Sequence, residues 1–315
     1  MEGIGKMGLN DYQDGENLQL ACLIKDAQAK TTKTNSQYLA LTFSDQSGEL
    51  SGNLWDATAE QVAAFQPGVV VELTGKRSSY QGRPQVEIQA LALAPEKRPE
   101  DFVPQAPESV ADMKDALRPF FTAIQEPTWH QIVVALVAQH GEKFFTSPAA
   151  KTNHHAFAGG LAYHTLSILR LAEAVCDLYP ALNRELLYAG AILHDLGKTL
   201  ELSGAVATQY TLAGQLLGHI SLLDGEIVAT CQAQHLDPNS EAVVLLRHLI
   251  LSHHGLLEYG SPVRPQVREA EVLHQLDELD ASLLMMDTAL AKTTPGEFTD
   301  RLFAMDRRQF YRPQE

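Results

Sequence analysis

The sequence predicts a protein of two domains with mixed α and β structure, in which a five-stranded β-barrel precedes an all-α helical bundle. Its 315 residues are enough for about two domains. Apolar residues alternate with polar ones in the first third of the chain, but recur every three to four residues from about residue 110 onward. A segment with four prolines separates these two patterns.

Five segments of the first third show the alternation that is typical of antiparallel strands with one buried face. They lie at residues 18–24, 39–43, 50–54, 69–73 and 86–90. Ser47-Gly48 and Gln81-Gly82 mark tight turns between neighbouring strands. A short helix is predicted in DATAEQVAAF, with Asp56 as its N-cap. Five strands with a helix after the third is the order of an OB-fold barrel, and another small barrel is the alternative.

The prolines Pro95, Pro99, Pro104 and Pro107 predict an extended spacer between the domains. Ser109, with Asp112 three residues later, predicts the start of the next helix. The predicted domains are therefore an OB-fold domain at 15–94, a linker at 95–108 and a helical domain at 109–315. Helices are predicted in the last of these at 110–125, 127–142, 159–178, 183–196, 213–234, 239–253, 265–290 and 295–308.

The charge, hydropathy and cysteine content of the sequence exclude several classes of protein. The formal net charge is −15, so binding of nucleic acid through bulk charge is excluded, although a local groove can still hold a strand. The sequence contains no uncharged apolar run of the ~18 residues that a membrane span needs, and its first residues lack an apolar signal core. Three widely spaced cysteines fit a reducing compartment. A cytoplasmic protein is expected.

Histidine and aspartate recur on successive predicted helices. The most informative pair is His194-Asp195, which follows an apolar stretch and is costly to bury unless it is paired or bound to metal. The further candidates are His164, His219, His253-His254, and either Asp277 or Asp280. Gaps of 24 to 34 residues allow each helix to return antiparallel to the last, so that these side chains can meet in the bundle core.

These residue types predict a metal site. A single buried histidine is more often a hydrogen-bonded core residue, and a histidine pair can simply end a helix, but the ordered set favours ligation. Imidazole with carboxylate and without thiolate suits Mn²⁺, Fe²⁺, Co²⁺ or Zn²⁺. One or two ions are expected. With two, Asp195 can bridge them, so that they activate a water and clamp phosphate oxygens. Lys198, one turn after His194, is well placed to neutralise a substrate phosphate.

The chain resembles the HD-domain phosphohydrolase superfamily in this ordered set of residues. The stretches HHAFAGGLAYHTLSIL, LNRELLYAGAILHDLGKT, GQLLGHI and LILSHHGLLEYGSPV, behind an OB-like barrel, are similar to the YhaM family of 3'→5' exoribonucleases. The resemblance implies a metal-dependent exonuclease, typically with Mn²⁺, acting on single-stranded RNA and also on single-stranded DNA. It favours Asp277 over Asp280 and leaves open whether His253 or His254 is the direct ligand.

OB-folds bind single strands by stacking bases on exposed aromatic rings and tracking the backbone with basic side chains. The candidates for these contacts are Tyr38, Lys76, Arg77, Tyr80 and Arg83; Phe43 and Trp55 could equally belong to the core. The alternative to substrate contacts here is a solvated hairpin.

Three histidines and the C-terminal tail belong to neither the predicted metal site nor the predicted strand-binding surface. His154, His155 and His248 are expected to pack or to hydrogen-bond the ligands rather than to bind metal. The tail DRRQFYRPQE is expected to be a loose, solvated end, with contact to nucleic acid or to a neighbouring subunit as the alternative. Self-association into a homo-oligomer is left open.

The sequence also leaves open what the metal site acts on. A phosphodiesterase for a small nucleotide, such as a cyclic dinucleotide, is the alternative enzyme. A non-catalytic single-strand-binding protein is the alternative outside enzymes.

Overall fold

A computed structural model describes residues 8–32, 35–80, 83–151 and 155–314. The chain divides into two compact units. The first comprises the residues up to Gln105 together with Gly204–Gln209, and the second comprises Ala106–Ser203 and Tyr210–Glu315. The predicted fold class, a five-stranded barrel followed by a helical bundle, is confirmed.

The first unit is a closed barrel with the strand order β1-β2-β3-β5-β4. Neighbouring strands are antiparallel except β3 and β5, which run parallel. The barrel closes around an apolar core that includes Leu18, Phe43 and Val71. The elements are β1 (Asn17–Thr31), β2 (Gln37–Asp45), β3 (Gly48–Leu54), helix α1 (Ala59–Ala64), β4 (Val70–Tyr80) and β5 (Arg83–Leu93).

Helix α1 lies where the sequence predicts it, but its N-cap is Thr58 and not Asp56. The Thr58 hydroxyl accepts a hydrogen bond from the Gln61 backbone nitrogen, while the Gln61 side chain accepts one from Thr58 in return. This reciprocal pair satisfies two backbone donors, whereas Asp56 has a φ of +52° and hydrogen-bonds Ser36. The turn predicted at Gln81-Gly82 lies outside the described residues.

The second unit is a bundle of helices around one apolar core. Ser109 caps its first helix, as predicted. A second helix predicted as 127–142 ends at His140, because Gly141 has a φ of +50° and breaks it. The helices are α2 (Val110–Ala123), α3 (Pro127–His140), α4 (Glu142–Thr146), α5 (Gly160–Leu178), α6 (Arg184–Leu193), α7 (Lys198–Glu201), α8 (Leu212–Ala233), α9 (Glu241–Ser252) and α10 (Arg268–Ala291).

The helix predicted at 295–308 is wrong. This segment contains only the short 3-10 turn Phe303–Met305, and it folds back on the residues that follow through the bridges Phe298↔Tyr311 and Leu302↔Arg308. Positive φ angles at Gly296, Asp306 and Arg307 are incompatible with a helix and explain the error. Among the described residues, no helix combines the length and apolar character needed to cross a bilayer.

Candidate metal centre

The His194-Asp195 pair lies at the carboxyl end of α6. His194 caps this helix, and its backbone nitrogen donates to the carbonyl of Gly190 at 2.8 Å. The chain then turns at once into α7, which begins at Lys198. Both residues of the pair are buried, with His194 fully enclosed. A charged carboxylate in such surroundings needs counter-charges close by.

One group of ligand atoms surrounds Oδ2 of Asp195. His194 Nε2 lies 3.5 Å and His164 Nε2 lies 3.7 Å from this oxygen. The two histidine Nε2 atoms are 3.3 Å apart. Oδ1 of Asp277, on α10, lies 3.1 Å from His164 Nε2. Side chains from α5, α6 and α10 therefore meet at one point.

A second group surrounds Oδ1 of the same carboxylate. His219 Nε2 lies 3.3 Å and His253 Nε2 lies 3.7 Å from it. The His254 ring packs edge to face with that of His253, with centroids 4.3 Å apart. The ligand atoms of Asp195, His219, His253 and His254 all lie within 4.8 Å of one another. Asp195 thus presents one oxygen to each group.

Each of the five histidines has its Nδ1 atom held by an oxygen. A ring nitrogen that donates its proton to an oxygen leaves the other nitrogen with a free lone pair, which is the form that binds metal. The pairs are His164 with Asp280 (2.7 Å), His194 with Ala191 O (2.8 Å), His219 with Glu201 (3.2 Å), His253 with Ile250 O (2.7 Å) and His254 with Tyr259 O (2.6 Å).

Three buried polar atoms at the centre have no hydrogen-bond partner within the described chain. They are Asp195 Oδ1, His219 Nε2 and His253 Nε2. Unsatisfied buried polar atoms are rare in native proteins, and three that converge on one point call for an ion. The donor set of imidazole nitrogens and carboxylate oxygens is one that divalent transition metals accept. These residues therefore fit a metal site.

The carboxylates of the centre are held ionised. Burial would raise the pKa of Asp195, but the Lys198 ammonium, 2.9 Å from Oδ2, and His194 keep it well below its usual range. Burial likewise opposes ionisation of Asp277, whose pKa is nevertheless lowered by the hydrogen bond with His164 and by the charge of His194. In return, Asp195 raises the pKa of Lys198 against the effect of burial.

The pKa values of the histidines differ according to the groups that surround each ring. Burial opposes protonation of His164, but its hydrogen bonds with Asp277 and Asp280 outweigh this and raise its pKa to about 9. Burial lowers the pKa of His194 and His253, and together with the neighbouring imidazoles it lowers that of His254 to about 4. Two carboxylates thus keep the His164 ring positively charged, whereas burial favours the neutral form of His194, His253 and His254.

Three residues that contact the centre, Asp280, His155 and Glu201, do not belong to the predicted set of metal ligands. Asp280 Oδ2 holds His164 Nδ1 and also lies 2.7 Å from His155 Nε2. Glu201 accepts from both the backbone and the ring of His219. The sequence signals two of these residues. Asp280 is a candidate because it lies three residues after Asp277 on the same helix face, and His155 is expected to pack or to hydrogen-bond the ligands rather than to bind metal. Nothing in the sequence singles out Glu201.

The barrel exposes several of the residues that the sequence predicts to contact a nucleic-acid strand. The Tyr38 ring lies 4.8 Å from that of Trp55, which is 59% exposed. Tyr80 is 63% exposed and Lys76 is exposed on the same strand. Phe43 is fully buried, so of the two ambiguous rings only Trp55 is available.

Arg77 and Arg83 are the other two basic residues predicted to contact a nucleic-acid strand. The Arg77 side chain is only 11% exposed; it donates to Ser78 O and lies 3.8 Å from Asp14. The side chain of Arg83 lies outside the described part of the chain.

The barrel, the helical bundle and the ordered histidine and aspartate groups define the class as an HD-domain protein with an N-terminal OB-like barrel. The model of the HD domain family matches residues 161–282. Three curated proteins named 3'-5' exoribonuclease YhaM are similar to 97% of this chain. That of Geobacillus sp. (strain WCH70) is 44% identical over 95% of its own length. Those of Bacillus licheniformis and Bacillus subtilis (strain 168) are 44% and 43% identical, each over 98% of its length. The chain belongs to the YhaM family of 3'-5' exoribonucleases.

Proposed function

We propose that this protein is a metal-dependent 3'→5' exoribonuclease that hydrolyses the phosphodiester bonds of single-stranded RNA. The names of its relatives support this activity over hydrolysis of a cyclic dinucleotide. The observation that carries the proposal is the carboxylate of Asp195, whose two oxygens face two separate groups of histidines. Single-stranded DNA is the second substrate that we propose, and the cytoplasm is the proposed location.

Two divalent ions fit the two groups. The first would be held by His164, His194, Asp195 and Asp277, and the second by Asp195, His219, His253 and His254. Imidazole nitrogen with carboxylate oxygen suits Mn²⁺, Fe²⁺, Co²⁺ and Zn²⁺ alike, and we propose Mn²⁺ because it is the ion that the family resemblance implies. In this arrangement both His253 and His254 would hold the second ion. Asp280 and Glu201 hold the rings of His164 and His219 in position.

When bound, such ions lower the pKa of a coordinated water and neutralise the charge of the phosphate. The chain's own residues prepare the site for this. Asp195 would hold both ions, because its two oxygens face different groups of histidines. Lys198 keeps its ammonium charge beside Asp195, where it can donate a hydrogen bond to an oxygen of the scissile phosphate. The buried surroundings strengthen each of these electrostatic contacts.

The barrel would hold the strand upstream of its 3' end. We propose that Tyr38, Trp55 and Tyr80 stack on bases and that Lys76 contacts the backbone. Arg77 contributes less, because its guanidinium is already engaged. Arg83 remains a proposed contact from its place at the start of β5.

The experiment follows 5'-labelled single-stranded RNA with Mn²⁺, beside a cyclic dinucleotide. The expected result for the wild type is a ladder that shortens from the 3' end with release of mononucleotides. Asp195→Ala should abolish hydrolysis and keep its circular dichroism spectrum, whereas Glu173→Gln, at an exposed position of α5, should behave as the wild type. Mn²⁺ should raise the Tm of the wild type more than that of Asp195→Ala. More than a few per cent of residual activity in Asp195→Ala, or hydrolysis of the cyclic dinucleotide alone, contradicts the proposal.

Lys198→Ala separates phosphate binding from metal binding. We expect this variant to retain its metal ions and to lose rate, because Lys198 is not a ligand. A fall in bound metal with unchanged turnover per ion would show that Lys198 acts on the metal instead.

A further inference from the structure

The residues after α10 form a fixed ribbon, which we call the C-terminal ribbon (residues 294–314). Its two arms are joined by hydrogen bonds from Thr299 N to Phe310 O and from Arg312 N to Glu297 O, of 2.9 and 2.8 Å. The Arg312 guanidinium also donates to the carbonyls at the end of α10, 3.2 Å from Leu290 O and 2.8 Å from Thr293 O. The tail is therefore held in place, and the expectation of a loose end is wrong.

The C-terminal ribbon exposes three aromatic rings. Phe303 is 79% exposed, Phe298 is 63% exposed and Tyr311 is 47% exposed. Phe298 and Tyr311 lie together, with centroids 5.2 Å apart. A single exposed apolar side chain needs no explanation, but a group of rings on one short ordered segment indicates a binding surface.

Arginines alternate with these rings. The ribbon contains four arginines and three acidic residues (Glu297, Asp300 and Asp306), in a chain whose net charge is −15. Within the described residues, Arg301, Arg307 and Arg308 form no ion pair with a carboxylate, and all three are exposed. The Arg307 guanidinium lies 5.5 Å from the centre of the Phe303 ring. Nε of Arg308 donates to the carbonyl of Met305 at 3.1 Å, which leaves the other guanidinium nitrogens of Arg308, and those of Arg301 and Arg307, to bind anions from outside.

The turn that presents Arg307 is strained. Asp306 and Arg307 have φ angles of +55° and +60°, a region that residues other than glycine seldom occupy. Strain of this kind persists only where the surrounding structure enforces it, and it often accompanies a binding function. The backbone thus holds an arginine beside an exposed ring at a fixed place.

We propose that the C-terminal ribbon is a second binding site for single-stranded RNA, in which Phe303, Phe298 and Tyr311 stack on bases and Arg301, Arg307 and Arg308 bind phosphates. This rests on the proposed exoribonuclease activity. A polynucleotide matches the surface because its bases and phosphates alternate as the rings and arginines do.

The position of the ribbon predicts which substrates reach it. Asp277 and Ala291, the last residue of α10, are 14 residues apart. A helix rises 1.5 Å per residue, so the ribbon begins ~21 Å along the axis from the metal centre. A stacked strand rises 3.4 Å per nucleotide, so this distance corresponds to about six nucleotides. We therefore expect a dinucleotide at the metal centre to leave the ribbon empty, whereas a strand of 20 or more nucleotides is long enough to reach it.

The test compares Phe303→Ala and Arg307→Asn with the wild type in the full chain. Asparagine is chosen at 307 because it tolerates a positive φ. On a 24-nucleotide RNA, Phe303→Ala should raise KM about fivefold or more with unchanged kcat. Arg307→Asn should reduce the slope of log affinity against log salt by about 0.7. Both variants should cleave a dinucleotide as the wild type does.

Matched controls are Tyr179→Ala, which removes a ring that is 63% exposed elsewhere in the bundle, and Arg118→Gln, which removes an exposed arginine paired with Asp115. Neither should change KM. Light scattering gives the mass of each variant.

Three results would overturn the proposal. Unchanged KM and salt slope would show that the ribbon does not bind RNA. Equal losses on the dinucleotide would show a general defect of the fold. A smaller molecular mass for Phe303→Ala would assign the surface to self-association. A wild type that fails to cleave any RNA would instead contradict the exoribonuclease activity itself.

Discussion

Oε1 of Glu201 lies 3.2 Å from Nδ1 of His219 and 3.1 Å from the backbone nitrogen of the same residue. One carboxylate therefore fixes both the ring and the main chain of a proposed ligand. His219 directly follows Gly218, whose φ of +73° interrupts α8. Glu201 takes the hydrogen bond that this interruption releases, and the ring is left with Nε2 aimed at Asp195.

Glu201→Ala should weaken metal binding. Removal of a residue that orients a ligand typically costs 10–100-fold in metal affinity, and we expect a loss in this range here. Glu201→Gln, which keeps an acceptor oxygen, should lose less. Calorimetric titration with Mn²⁺ measures both, with Glu173→Gln as the matched control. If Glu201→Ala binds Mn²⁺ like the wild type, the contact has no part in holding the metal.

Asp277 and Asp280 should give different phenotypes, although they are one turn apart on α10. Asp277 faces the Nε2 atom of His164 and Asp280 faces its Nδ1 atom. We expect Asp277→Ala to bind one ion fewer at saturating metal. Asp280→Ala should reach the full number of ions, but with affinity lower by about 10–100-fold. Metal content at two Mn²⁺ concentrations distinguishes them, and the reverse pattern would exchange their roles.

Metal binding should release protons. The pKa of His164 is raised to about 9, so this ring carries a proton at neutral pH in the metal-free protein and must lose it to bind an ion. The apparent affinity for Mn²⁺ should therefore rise with pH between 6.5 and 8, about tenfold per unit for each proton released. Titration in buffers of different ionisation enthalpy counts these protons. Affinity that is independent of pH would mean that His164 is already neutral.

The aromatic pair of the barrel should matter only for long substrates. Trp55→Ala removes a ring that is 59% exposed and neighbours Tyr38, and stacking contributes ~1–3 kcal/mol per base. We expect KM for a long RNA to rise with little change in kcat, because this contact is the same in ground and transition states. Tyr179→Ala is the control. An unchanged KM would place the strand on another surface.

Much of the fold follows from local patterns. The alternation of residues such as Leu39, Leu41 and Phe43 gives one buried face, and this is sufficient to place the strands. One exception is a position where two local signals compete, and another is a segment where a local signal is overridden. Asp56 and Thr58 both suit an N-cap, but only Thr58 has Gln61 three residues later to complete the reciprocal pair. The segment after Pro295 carries a helix start signal that long-range bridges override.

The proposed ligands could be recognised because each repeats a residue type on successive helices. Glu201 could not, since its role depends on a kink in another helix that no spacing reveals. Trp55 was undecided for a related reason: a large ring at a strand end is equally compatible with core and surface, and only the closure of the barrel decides it. Sequence periodicity is sufficient to place helices and strands. Which side chains contact each other across the fold depends on the tertiary structure.

Two glycines bring the backbone of α7 against that of α8. A Cβ atom at Gly197 would lie 2.3 Å from the carbonyl oxygen of His219, and one at Gly214 would lie 2.2 Å from that of Glu201. The spacing between His219 and the His194-Asp195 turn is thus set by main chain touching main chain. Amide protons at this seam should be among the slowest of the bundle to exchange with deuterium, because they can open only when the two helices separate. Any substitution of these two glycines would therefore disturb the geometry of the site, even with every ligand side chain left in place.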